Sequence, residues 1–276
     1  MVIRMKKYIV LSVDDNPKYL YYLPLVVWAW RKFGWEPILF TLKNCGAANL
    51  DNRRRIIQDV LNSCCGGPIE TNYIHLFTEY KSETIVQVSR LYAACRKIGY
   101  LMTGDIDMIP LSDYWKPNEN EITVWGHDLT SYQHYPICYI SMPSYRWIEI
   151  MGLTTDLYSD MIKRDLDSMP NARSEDSVKR WVVDQDLITE RLNATQFSKH
   201  NVIRGTYENG YPIGRVDRSA WNLKHDVLID CHAPHDVLTN EASFTNLIAL
   251  LMYVWPEENF EWFIDYTNEF KKTLNG

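Results

Sequence analysis

What this 276-residue chain lacks narrows it first. No stretch approaches the roughly 18 uninterrupted apolar residues that a membrane-crossing helix needs. The longest candidate, Leu20 to Trp30, is broken by Pro24 and carries tyrosines and tryptophans, so no transmembrane segment is expected. The apolar run Tyr8 to Val13 is too short for a signal-peptide core and has no small-residue cleavage site, and it reads as a first strand. A basic excess is missing as well: 29 Lys and Arg stand against 35 Asp and Glu, for a formal charge of −6. Without that excess the chain is no general binder of nucleic acid or anionic membrane, and an anionic ligand needs local help from a metal or an arginine. The cysteines Cys45, Cys64, Cys65, Cys95, Cys138 and Cys231 form no CxxC pair and no zinc-finger spacing. They read as reduced residues of a cytoplasmic protein, in which the sequon at Asn193 is idle.

What is present is apolar and aromatic. With 46% hydrophobic and 13% aromatic residues the chain can bury a large core, as one big domain or one domain with an appendage. Strand-like and helix-like patterns alternate. Lys7 to Val13 reads as strand, Tyr19 to Phe33 as helix, Pro37 to Leu42 as strand, Asn52 to Ser63 as helix and Ile74 to Phe77 as strand. Ser82 to Ile98 reads as a helix capped by Ser82. Short strands follow at Glu121 to Trp125 and Ile137 to Ser141, with a helix starting at Tyr145. Such alternation predicts an α/β fold on a mainly parallel sheet. Lys163 to Arg180 lacks apolar periodicity and is expected as a loop or lid, Asp186 to Leu192 as a short helix, Gly205 to Asn222 as a second mobile loop and His225 to Cys231 as a strand. Thr239 to Trp255 and Pro256 to Leu274 read as two closing helices, the first capped by Asn240, with the last one's aromatic stripe packed inward. The expected division is residues 1–238 as a catalytic domain with 239–276 as a helical segment packed on it.

One place concentrates chemistry. Tyr100, Leu101 and Met102 form a short apolar strand, Gly104 offers a sharp turn, and Asp105 and Asp107 follow two residues apart before Pro110 stops the ladder. On an extended chain residues i and i+2 point the same way, so both carboxylates can face one divalent cation, and hard oxygen ligands suit Mn2+ or Mg2+. Asp14 and Asp15 end the first strand. In open α/β sheets ligands bind beyond the carboxyl ends of the strands, so these acids are expected to share one crevice.

In their order, the motifs of this chain resemble those of GT-A glycosyltransferases, in particular the retaining glycogenin-like and lipopolysaccharide galactosyltransferase-like enzymes. SVDDNPKY (Ser12 to Tyr19) is similar to the family's turn after the first strand. By that resemblance the backbone at Val13, with Asp14 and Asn16, reads a uracil and Tyr19 stacks on it. Arg90, on the helix before the metal strand, matches an arginine near the nucleotide, and Asp105 and Asp107 match the DxD pair. Asp128 in WGHDL matches an acid that holds hydroxyls of the donor sugar. Asp184 and Gln185 in WVVDQDLIT resemble the segment beneath the anomeric carbon in retaining members. His232 and His235 in LIDCHAPH resemble the late histidine that completes the metal shell, and which imidazole binds is open because the family's Lys-Pro-Trp tail is missing. The family's Asn-x-Gly site is also absent, which leaves the donor sugar open. Arg215 and Arg218 are read as a diphosphate clamp on a closing loop.

The expected activity is therefore metal-dependent transfer of a sugar from a UDP-sugar to a hydroxyl of a glycan acceptor, with retention. The alternatives are an inverting enzyme of the same fold and a non-catalytic carbohydrate-binding protein. Sugar-nucleotide pyrophosphorylases open on a glycine-rich loop, whereas no glycine precedes Gly34 here.

Overall fold

The computed structural model describes residues 5–43, 50–117, 122–125, 134–154, 156–195, 207–208, 211–212, 214–221, 223 and 226–274. From Tyr8 to Leu11 strand β1 (Lys7–Ser12) is buried on both faces, as its unbroken apolar run requires of a central parallel strand. The expected helix over Tyr19 to Phe33 is two: α1 (Pro17–Leu20) and α2 (Leu23–Lys32), with Pro24 in the first turn of the second, where a missing N–H costs nothing. After β2 (Glu36–Leu42) come α3 (Leu50–Cys64), β3 (Glu70–Ile74) and α4 (Ser82–Ser89), which tightens into a 3-10 turn over Arg90–Cys95. Lys81 rather than Ser82 is the N-cap of α4, because the Ser82 hydroxyl donates to Asp14 instead.

β4 (Tyr100–Thr103), β5 (Met108–Pro110), β6 (Thr123–Val124) and β7 (Ile140–Pro143) follow, then α5 (Ser144–Met151). The region expected as a loop from Lys163 is mostly helical, with α6 (Tyr158–Ser168) and α7 (Ser177–Trp181) flanking a short irregular link. Its apolar face begins upstream, at Met161 and Ile162, and it is interrupted by a buried Asp165 that accepts hydrogen bonds from Arg191 and from the Tyr92 hydroxyl. A carboxylate on the core side hid the helical period. α8 (Val183–Ala194), the short strands β8 (Tyr207–Glu208), β9 (Tyr211–Pro212), β10 (Arg215–Asp217) and β11 (Asp230–His232), and helices α9 (Glu241–Val254) and α10 (Glu261–Lys272) complete the chain.

The main sheet has the order β3-β2-β1-β4-β7-β6, parallel through its first four strands and antiparallel at β7 and β6. Helices cover both faces. Ile9 and Leu11 point to the side of α2, α3, α9 and α10, and Tyr8 and Val10 to the side of α4, α5, α6 and α8. This is the expected α/β architecture with a helical C-terminal part. Asn240 caps α9, accepting from the Ala242 and Ser243 N–H groups, and the aromatic stripe of α10 turns inward, where Tyr266 stacks on Tyr21 at 5.5 Å and Thr267 meets the Tyr21 hydroxyl at 2.7 Å. Among the described residues no helix is long and apolar enough to cross a membrane.

A second, three-stranded sheet, β10-β11-β5, positions the site. Just past Asp107, β5 pairs antiparallel with β11, Met108 opposite His232, while β11 runs parallel to β10 with His232 opposite Asp217. The Ala233 N–H donates to the Asp107 carbonyl at 2.9 Å. That ladder carries residues more than a hundred positions away in the chain onto the Asp107 carboxylate.

Candidate active site

Two strand ends build the cleft. Past β1, the Asp14 carboxylate accepts the Asn16 N–H at 3.0 Å and the Ser82 hydroxyl at 2.9 Å, and Asn16 accepts the Lys18 N–H at 3.1 Å, so short polar side chains start α1 and aim Tyr19 into the cleft. Burial raises the Asp14 pKa above the ordinary aspartate value, against the Asn16 and Ser82 hydrogen bonds. Past β4, Gly104 is needed for closeness rather than for a turn: a Cβ there would stand 2.8 Å from Ile9 Cδ1. The link from Asp105 is not extended, since the Met108 N–H closes a turn on the Asp105 carbonyl at 3.2 Å. Alternation therefore does not govern the two acids, and they take different partners.

Asp105 pairs with Arg90, whose guanidinium also donates to the Gly104 carbonyl at 2.9 Å and to Asp184 at 2.6 Å. Arg90 is 4% exposed and Asp184 1%. Asp184 thus stands behind Arg90, out of the cleft wall, with its other oxygen on the Gln185 N–H at 2.9 Å. Burial pushes the Asp184 carboxyl up, with Arg90 opposing it. Removing two charges from water is costly, and the pair holds because each carboxylate has a guanidinium nitrogen facing it.

Asp107 gathers the second group. Its Oδ2 lies 3.4 Å from His232 Nε2, 3.2 Å from His235 Nε2 and 2.9 Å from Arg218. His232 Nδ1 meets Asp217 at 3.0 Å, which turns Nε2 toward Asp107. Burial disfavours the Asp107 charge, but the His232 and His235 hydrogen bonds and the Arg218 charge outweigh it and hold the carboxyl well below the usual range. Burial likewise opposes protonation of His232, and Asp107 overrides it to raise the imidazole above its ordinary value. The Tyr22 hydroxyl donates to the Pro234 carbonyl and ties this loop to α2. The Tyr19 ring lies edge-on to His235 at 5.0 Å, and its hydroxyl is pushed up to about 12 by burial and by Asp107.

These donors suit a divalent ion in kind. One carboxylate and two imidazoles are ligands that Mn2+ and its neighbours accept, and a carboxylate behind an imidazole is how proteins commonly fix a metal-binding histidine. They are not a finished cage: among the described residues no three His, Cys, Asp or Glu side chains are arranged to hold an ion. The Arg218 guanidinium is in contact with both Asp107 and His235.

The cavity over both groups measures about 370 Å³. Of the residues anticipated from sequence, Val13, Asp14, Asn16, Tyr19, Arg90, Asp105 and Asp107 line it. Arg218, His232 and His235 adjoin it through Asp107. Gln185 is half-buried at the start of α8 and is not in the lining. Arg215 parts from Arg218: it forks onto the buried Asp230 at 2.9 and 2.7 Å within the second sheet, so the anticipated two-arginine clamp reduces to Arg218. Arg215 stands opposite Asp230 and Asp217 opposite His232, so Arg215 sits two register positions up the ladder from the pair that reaches Asp107. Asp128 lies outside the described residues. Sequence reasoning passed over Trp181, Gln87 and Ser177 on the wall and Asp217 behind His232. Trp181 is half-exposed with its ring 6.1 Å from that of Tyr19, and its place directly ahead of the Asp184 segment was the available signal.

No protein-family model matches the chain, and no curated protein matches it. Among solved structures it is similar to the glycosyltransferase GlyE of Streptococcus pneumoniae TIGR4, at 12% identity and a TM-score of 0.36, over 67% of this chain and 43% of that one. The chain thus spans less than half of that protein's length.

Proposed function

We propose that the chain is a metal-dependent glycosyltransferase that moves a sugar from a nucleotide-diphosphate sugar, UDP-linked by preference, to a hydroxyl of a glycan acceptor. The observation that carries this reading is the convergence of Asp107, His232 and His235 beside a cleft that Asp107, Tyr19 and Trp181 line together. A planar base suits the aromatic rings and a diphosphate the charged cluster beside them.

In this reading Asp107, His232 and His235 hold Mn2+ or Mg2+, with Asp217 orienting His232. The bound ion offsets diphosphate charge and stabilises the leaving nucleotide. Asp14 and the Val13 backbone face the base beside Tyr19. Arg218 supplies a positive charge to the phosphates. Asp184 acts as a positioning residue: it holds Arg90, and Arg90 holds Asp105 at the cleft. Asp128 and Gln185 are assigned to the donor sugar, and retention is assigned to the reaction, by the resemblance of their motifs alone.

The test is nucleotide release and product formation from a panel of nucleotide sugars with Mn2+ or Mg2+, in wild type and Asp107→Ala. Turnover that needs both the ion and Asp107 is expected. No release from any donor, together with no metal-dependent UDP binding by calorimetry, would overturn the proposal. Anomeric NMR of the product decides retention separately, and inversion would overturn that part alone.

A further inference from the structure

The Asp107 carboxylate is only 8% exposed, so its charge needs compensation from inside the protein. The two imidazoles offer hydrogen bonds. Among the ion-pair partners of Asp107 in the described residues, Arg218 alone carries a permanent charge. It reaches Asp107 at 2.9 Å and also contacts His235 Nε2, the nitrogen that would serve a metal. A guanidinium and a divalent ion cannot share one carboxylate oxygen and one imidazole nitrogen, since like charges at contact distance repel strongly.

The base of Arg218 is fixed. Asp217 accepts both the N–H and the hydroxyl of Ser219, at 2.9 and 2.7 Å, and the turn closes through the Trp221 N–H on the Asp217 carbonyl at 2.6 Å. Trp221 takes the left-handed backbone that this tight reversal demands, at φ 42°. The Arg218 side chain is about a quarter exposed. Rotation of this partly exposed side chain away from Asp107 would carry its charge toward the cleft that Asp107 lines.

We propose that Arg218 is a resident counter-cation of Asp107, displaced by the divalent metal and released to pair with the diphosphate that the metal accompanies. The inference rests on the metal-dependent reading above. It adds that the metal-free site is self-neutralised, and that metal and donor favour each other's binding because each gives the guanidinium a reason to move.

Free Mn2+ measured by electron paramagnetic resonance during titration of wild type, Arg218→Ala, Arg218→Gln and Asp107→Asn tests this. Without nucleotide, both Arg218 variants should bind Mn2+ about tenfold more tightly than wild type, equivalent to about 1.4 kcal/mol. With saturating UDP that advantage should shrink or reverse, because wild type alone regains the guanidinium–phosphate pair. Arg218→Gln keeps a polar N–H donor without the charge, so it guards against a folding defect in the alanine variant. Equal or weaker Mn2+ binding by both variants without nucleotide would overturn the inference while leaving the metal-dependent reading standing. Failure of every protein to bind Mn2+, with or without UDP, would overturn both.

Discussion

Replacing Arg90 with methionine asks whether the cleft is held from behind. The guanidinium joins Asp184, 1% exposed, to Asp105, which is about a third exposed. Methionine keeps most of the stem volume but leaves Asp184 with the Gln185 N–H as its remaining hydrogen bond. Removing one partner of a buried pair costs about 3–5 kcal/mol, and the Asp105 arm, screened by solvent, adds little. For a chain of this size about 1 kcal/mol lowers the melting midpoint by about 2–4 °C, so Arg90→Met should melt about 6–20 °C below wild type by circular dichroism. Adding Asp184→Leu removes the stranded carboxylate and should recover most of the loss. The pH dependence has a definite sign. Burial already raises the Asp184 pKa, with Arg90 opposing, so loss of Arg90 raises it further. A carboxyl whose folded pKa lies above its unfolded value contributes stability that is full below the unfolded value and is lost as pH rises through the folded one. Arg90→Met should therefore approach wild type as pH falls toward the ordinary aspartate value of 3.8 and fall away from it as pH rises above that. A variant that melts within about 2 °C of wild type at neutral pH, or a double variant no better than the single, refutes the reasoning.

Two further substitutions probe the walls. Asp217→Asn should weaken Mn2+ binding by about 10–100-fold, the usual loss when the carboxylate behind a metal-binding histidine is removed, and unchanged affinity in the same titration would show that His232 needs no such support. Trp181→Ala should cost about 1–3 kcal/mol in UDP affinity measured by calorimetry with Mn2+, the range for an aromatic ring stacked on a base, while Trp181→Phe should retain most of it. An alanine variant that binds UDP as wild type does removes Trp181 from the nucleotide site.

Local signals carried much of the fold. The unbroken apolar runs of β1 and β4, the helical spacing of α3 and the Asn240 cap of α9 are near-neighbour features, and periodicity reports them without the rest of the molecule. The same holds for the strand-end acids Asp14, Asp105 and Asp107, which a mainly parallel sheet must bring to one edge. α6 escaped because Asp165 sits on its core face, where its charge is answered by Arg191 from another helix.

Long-range pairing settled what periodicity could not reach. The chain itself specified which residue types stand at the strand ends. Only the second sheet, through the pairing of Met108 with His232 and of His232 with Asp217, brought imidazoles, a supporting carboxylate and Arg218 onto Asp107. It also turned Arg215 away to Asp230, and helix packing set Asp184 behind Arg90. Partners so far apart in the chain are chosen by strand register and by the need to neutralise buried charge, and neither is written in any short stretch of residues.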